Sequence, residues 1–219
     1  MPDTTPLDTP EPEPRWHAVI AALATVALYV ALPPGLTVGP RWAQPALTVL
    51  LLIPTMLLHR VGKHRLDRAF GYLMNSVITI QVVAALGLLI HALPSRREPP
   101  TALLVSACAI WVTNVLVFAL WYWRLDAGGP HGRALVARHT EGAFLFPQMT
   151  SPVPPGDGPD DAWSPNFIDY LFLAFNTSTA FSPTDTPVLA RWAKLLMMLQ
   201  SIISLAVLVV LAGRAVNIL

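Results

Sequence analysis

The residues best equipped for chemistry lie near the C-terminal end of this 219-residue chain. Asn176-Thr177-Ser178-Thr179 closes one apolar block, and Ser182-Pro183-Thr184-Asp185-Thr186-Pro187 separates that block from the last one. Asn176, Thr184, Asp185 and Thr186 offer oxygen donors of the kind that suits a hard cation. Asp185 also has a plainer reading. Just outside the first turn of the following helix, its charge favours the helix dipole and it acts as a cap. Acid–base catalysis is not readable. Asp169 and Asp185 flank a helix of about 15 residues, which puts them more than roughly 20 Å apart and beyond a shared proton. His131 and His139 lack partners at metal-binding spacing. Cys108 is the single cysteine and lies within an apolar block, so there is neither a disulfide framework nor a cysteine metal cluster. No metal, cofactor or enzymatic role is expected.

Six apolar blocks must position these residues, at about 16–32, 42–58, 69–93, 101–123, 167–181 and 188–219. Hydrophobic residues make up 54% of the chain and charged residues 12%, about half the charge of a soluble domain. The blocks are long enough to read as membrane segments. Pro54 is expected to kink the second block or break its last turn. Trp121-Tyr122-Trp123-Arg124 ends the fourth with aromatic rings and a cation, the pattern of a headgroup interface. The fifth is short. Ser164-Pro165 reads as its N-cap and first helical position, and about 15 residues give roughly 22 Å of helix.

The remaining segments divide the chain. Residues 1–15 form a Pro- and acid-rich tail expected to be disordered, 16–124 hold four transmembrane helices, 125–164 form a polar linker, and 165–219 hold the short helix and a terminal span. Within the linker, Phe144 to Met149 either folds back onto the membrane surface or a helix bundle, or belongs to a floppy connection. Asn75, Gln81, His91, Asn114, Gln200 and Ser204 lie in or near the spans, where polar side chains are either interhelical glue or functional. Arg60, Lys63, Arg65 and Arg68 read as a topology-setting cytoplasmic loop. The net charge of +1 argues against nucleic acid as a partner.

Charge counting bears on the path of the fifth block. With the N-terminus inside and six full spans, nine Lys and Arg lie inside and five outside. If the fifth block enters and leaves on one side, the counts become ten and four, slightly closer to the positive-inside rule.

The short polar-ended helix, the turn and the long last helix together resemble the pore region of potassium-channel-like proteins, whose pore helix ends in Thr-x-Thr-Thr-Val-Gly-Tyr-Gly-Asp. Here Thr177-Ser178-Thr179-Ala180-Phe181-Ser182-Pro183-Thr184-Asp185 keeps the Thr-x-Thr and the Asp in register. Arg191-Trp192-Ala193-Lys194-Leu195 resembles the start of an inner helix. Ser182 and Thr184 replace the two filter glycines and Pro183 the tyrosine, so a potassium filter of the usual geometry is not expected.

The C-terminal half also resembles a bacterial family of small membrane proteins without an assigned function. The likeness runs along Trp111-Val112-Thr113-Asn114-Val115, Phe118 to Trp123, Leu125-Asp126, Gly128-Gly129-Pro130 and Phe144 to Met149. It continues through Ala180 to Asp185, Arg191 to Met197 and Arg214 to Leu219. It implies a bacterial inner-membrane location.

The expected fold is therefore all-α, a polytopic bundle of five to six membrane segments whose short helix before the last span either crosses or re-enters. The expected function is a pore-loop-like protein that conducts or binds ions, with Thr177, Thr179, Ser182, Pro183, Thr184 and Asp185 as the pore-like turn. A channel of this kind requires a homo-oligomer in the lipid bilayer. The alternative is a non-catalytic membrane scaffold or partner subunit.

Overall fold

A computed structural model describes residues 13, 15–93, 99–135, 142–150, 163–179 and 186–216. The described chain is helical: α1 (Trp16–Val30), α2 (Ala43–Arg60), α3 (His64–Ala92), α4 (Pro100–Leu125), the short α5 (Gly129–Arg133) and α6 (Pro147–Thr150), α7 (Phe167–Thr179) and α8 (Arg191–Val216). Among the described residues, three stretches are long and apolar enough to cross a membrane: His64–Ala92, Thr101–Arg133 and Arg191–Gly213. α1 is apolar but shorter.

Local chemistry sets the helix ends. α1 stops at Pro33-Pro34, and the Arg41 guanidinium donates to the Val30 and Leu32 carbonyls at 2.9 Å, supplying partners that the helix end leaves open. α2 runs through Pro54 to Arg60, so the expected break in its last turn does not occur. Gly62, at φ +74°, then closes α2. Lys63 N–H donates to Leu58 O at 2.9 Å and Gly62 N–H to His59 O at 3.1 Å, the Schellman pattern that a left-handed glycine permits. α3 starts at once with His64, so α2 and α3 form a tight hairpin that carries the basic loop residues.

α7 starts later than Ser164-Pro165 suggested. Asn166 is the cap: its Oδ1 accepts from Ile168 N–H at 2.8 Å, and Asp169 Oδ2 accepts from Asn166 N–H at 2.8 Å. This reciprocal pair is a capping box. It also ties up the Asp169 carboxylate.

α4 is the hub, packed against α1, α3, α7 and α8. In its most apolar stretch 61% is buried, against 39% for α3 and 28% for α8. Four chain positions gather at the C-terminal end of α4: the start of α1, the end of α2, the start of α3 and the linker. Arg15 reaches Asp67 at 2.6 Å, and His64 stacks on His131 with ring centroids 3.5 Å apart. Arg60, Lys63, Arg65 and Arg68 are exposed at this basic end.

One boundary of the sequence reading is redrawn, and one open alternative is decided. Glu13 and Arg15 belong to the bundle instead of a disordered tail. Glu13 Oε1 accepts from Trp123 Nε1 at 2.6 Å, and Glu13 Oε2 pairs with Arg133 at 2.8 Å. Residues 1–12 and 14 lie outside the described residues. The Phe144 to Met149 patch packs into the bundle. Phe144 is fully buried, against Tyr122, Tyr170 and Trp192 at centroid distances of 5.2, 6.2 and 6.1 Å.

Candidate functional site

α7 and α8 both start near the C-terminal end of α4 and run back along it. On α7, Phe167 packs on Trp123 at 6.1 Å and Phe175 on Trp111 at 5.8 Å. On α8, Trp192 reaches Phe144 beside Tyr122, while Ser204 lies deeper, at Asn114. Just before α8, Leu189 N–H donates to Ala143 O at 2.8 Å, and Leu145 N–H donates to Pro187 O at 2.9 Å. This short antiparallel bridge ties residues 187–189 to the linker.

A buried polar network joins α7 to both longer helices. Gln200 is fully buried, and its amide is completely used. Its Nε2 donates to Ala174 O and Ser178 Oγ, both at 2.7 Å, and its Oε1 accepts from Tyr122 OH. Asn114 Nδ2 donates to Gln200 O at 3.2 Å and to Ser204 Oγ at 2.8 Å. In an apolar surround, unmade hydrogen bonds are costly, so these pairs fix the rotation of all three helices. Asn114, Gln200 and Ser204 are thus interhelical connectors. Asn75 is fully buried, with no partner for its amide among the described residues. His91 is exposed at the end of α3.

Of the pore-like turn, Thr177 and Thr179 are described; Ser182, Pro183, Thr184 and Asp185 lie outside the described residues. Thr177 is buried and its hydroxyl donates to Leu173 O at 2.8 Å, while its carbonyl accepts from Ser201 at 3.4 Å. Thr179 donates to Asn176 O at 3.0 Å. Both hydroxyls are engaged within their own helix. Beside them, Trp111, Val112, Val115, Ile168, Phe172 and Phe175 line an open apolar groove of about 470 Å³ between α4 and α7.

Sequence reasoning missed the polar knot at the end of α4. Asp126 is fully buried. Its Oδ2 accepts from Tyr170 OH at 2.6 Å and its Oδ1 from Ala143 N–H. Arg133 donates to the Trp123 and Asp126 carbonyls at 2.9 and 3.1 Å and lies 5.0 Å over the Tyr170 ring. Ala127, Gly128 and Gly129 take φ of 49°, 77° and 80° in succession, which reverses the chain tightly enough to return Arg133 under α4. The Gly128-Gly129-Pro130 run was the available signal for this turn.

A second cluster was also unread. His59, His64 and Asp67 each bring one ligand-type atom within 4.8 Å of the others. A tetrahedral cation needs donors about 3.4 Å apart. Here Arg15 already holds Asp67 Oδ2 at 2.6 Å, so the carboxylate has its counter-charge. The signal was His59 with Asp67 across a glycine-closed helix hairpin, a relation that linear spacing motifs do not test.

No protein family, curated protein or solved structure matches the chain.

Proposed function

We propose that the chain is a multi-pass protein of a bacterial inner membrane whose α4–α7–α8 unit is a re-entrant, pore-loop-like hairpin that binds or passes a cation. The observation that carries this reading is the shared starting end of α7 and α8, tied to the linker by the Leu189–Ala143 hydrogen bond. A helix that crossed the membrane would leave its successor to start on the far side. Eight residue steps separate Thr179 from Pro187, a reach of at most roughly 29 Å. Retracing the 13 residues of α7 needs roughly 20 Å. The interval is long enough for a direct return and too short for a further crossing. Arg191 and Lys194 then share a side with Arg15, Arg60, Lys63, Arg65, Arg68, Arg124 and Arg133, as the positive-inside rule favours.

Ser182, Thr184 and Asp185 supply the oxygen donors in that interval. A chain with one such hairpin provides only a fraction of a pore wall, so conduction needs several copies.

Two measurements test the reading. In a Cys108→Ala background, cysteine at Thr184 should react with a membrane-impermeant maleimide from the same side as cysteine at Leu135. Labelling from the opposite side removes the re-entrant path. Purified protein in planar bilayers should carry cation current, and silence across several cations removes conduction.

A second reading is a non-conducting partner subunit. The apolar groove between α4 and α7 favours it, since it offers a seat to another transmembrane helix. Stable co-purification with one partner, together with electrical silence, would establish that reading.

A further inference from the structure

At the basic end, α1, α2 and α4 enclose a pocket of about 260 Å³. Arg15, Arg60 and Arg124 line it, opposed by one carboxylate, Asp67. Trp16, Leu52 and Met56 form its apolar side. Trp16 and Met56 are 57% and 42% exposed, so this side opens at the surface of the bundle.

Arg124 is the informative residue. It is 8% exposed, and its guanidinium lies across Gly71 of α3. A Cβ at Gly71 would stand 2.0 Å from Arg124 Nη1, so the slot exists because position 71 is glycine. Among the described residues the guanidinium has no carboxylate partner within salt-bridge distance, and its Nε has no acceptor. The Trp123 ring, 5.4 Å away, is its cation–π contact. A buried cation without a counter-charge is strongly unfavourable. Asp67 relieves it only in part, because Arg15 engages that carboxylate directly. Among the described residues, three arginines face one carboxylate, which leaves the pocket short of negative charge.

We propose that this pocket binds a phosphate group, held by Arg124 and Arg60. Guanidinium matches phosphate oxygens in bidentate geometry, and basic pockets between transmembrane helices suit anionic headgroups. The adjoining apolar wall points to a phospholipid as the source of the phosphate, with its chain against Trp16, Leu52 and Met56. The proposal does not depend on the path of the α7–α8 hairpin.

The test uses full-length protein in a neutral detergent, with thermal unfolding and native mass spectrometry as readouts. The probes are phosphatidylglycerol, phosphatidylcholine and inorganic phosphate. Phosphatidylglycerol should raise the unfolding temperature and remain attached, and phosphatidylcholine should do so far less. Arg60 is exposed, so Arg60→Gln should fold normally and weaken binding several-fold. Arg124→Gln, and Gly71→Leu by displacing the guanidinium, should weaken it by at least about tenfold. A response to inorganic phosphate with none to phosphatidylglycerol supports phosphate recognition and assigns a soluble source. The proposal is overturned if neither anionic probe binds the unaltered protein. It is equally overturned if phosphatidylcholine binds as well as phosphatidylglycerol, or if Arg60→Gln and Arg124→Gln bind like the parent.

Discussion

Gln200 of α8 donates to Ser178 of α7 at 2.7 Å while accepting from Tyr122 of α4. One amide therefore ties the short helix to both of its long neighbours, with Ser178 22 and Tyr122 78 residues from Gln200 in sequence. Gln200→Leu keeps the approximate volume but strands the Tyr122 and Ser178 hydroxyls. The expected loss is about 1–3 kcal/mol, read as a lower midpoint in reversible unfolding with mixed SDS micelles. Ser201→Ala, whose bond to Thr177 O is long at 3.4 Å, should change the midpoint by less than about 0.5 kcal/mol.

The turn after α4 separates glycines by what they must do. Gly129 has φ +80° and ψ −176°, and a Cβ there would lie 2.8 Å from Arg124 O. Gly129→Ala should cost at least about 2 kcal/mol. Gly128, at φ +77° with nothing within 4 Å of a built Cβ, should accept asparagine with little loss. Ala127 holds φ +49° without being glycine, so Ala127→Gly should be neutral or stabilising. Thermal unfolding of the three variants checks this order.

Asp126 anchors the linker to α7. Replacing it with alanine leaves Tyr170 OH and Ala143 N–H without their acceptor in a buried site, an expected loss of about 2–4 kcal/mol. Asp126→Asn keeps acceptor capacity on one oxygen and should lose less. Phe144→Ala opens a cavity among Tyr122, Tyr170 and Trp192, with an expected cost of about 3–5 kcal/mol. Both changes should speed proteolysis between residues 135 and 163 ahead of global unfolding, measurable by limited digestion and mass mapping.

On the proposed pore-loop reading, hydroxyls already committed to helix carbonyls should matter less than Asp185. Thr177→Val removes a bond internal to α7 and should leave cation binding or current within about twofold of the parent. Asp185→Asn removes the charge offered to a cation and should reduce either signal by at least about tenfold. Equal effects from the two variants would contradict the assignment of the acid as the cation's partner.

Much of the architecture is written along the chain itself. The apolar runs that became α3, α4 and α8 are long and nearly uncharged, and such runs identify membrane-length helices without reference to any neighbour. Proline and glycine lie at several boundaries for equally local reasons: the Pro33-Pro34 stop, the Gly62 turn and the Gly128-Gly129 reversal depend on backbone geometry. The Asn166 cap was missed because Ser164-Pro165 offers an equally good local signal two residues earlier, and only the bonds to Ile168 and Asp169 distinguish them.

The sites required tertiary structure. Nothing local to Phe144 tells a floppy linker from a wedge between Tyr122 and Trp192. Nothing local to Arg124 says that it crosses Gly71 without a carboxylate partner, and nothing local to Asp67 says that Arg15 neutralises it. Each of these facts depends on which helix ends meet. That is decided by burial and pairing between residues that lie tens of positions apart, where the linear pattern carries no constraint. The sequence alone determined that this is a helical chain built for an apolar surround, with a short polar-ended helix before its last long one. Only packing decided that α7 and α8 start from the same end, and that among the described residues three arginines share a pocket with a single acid.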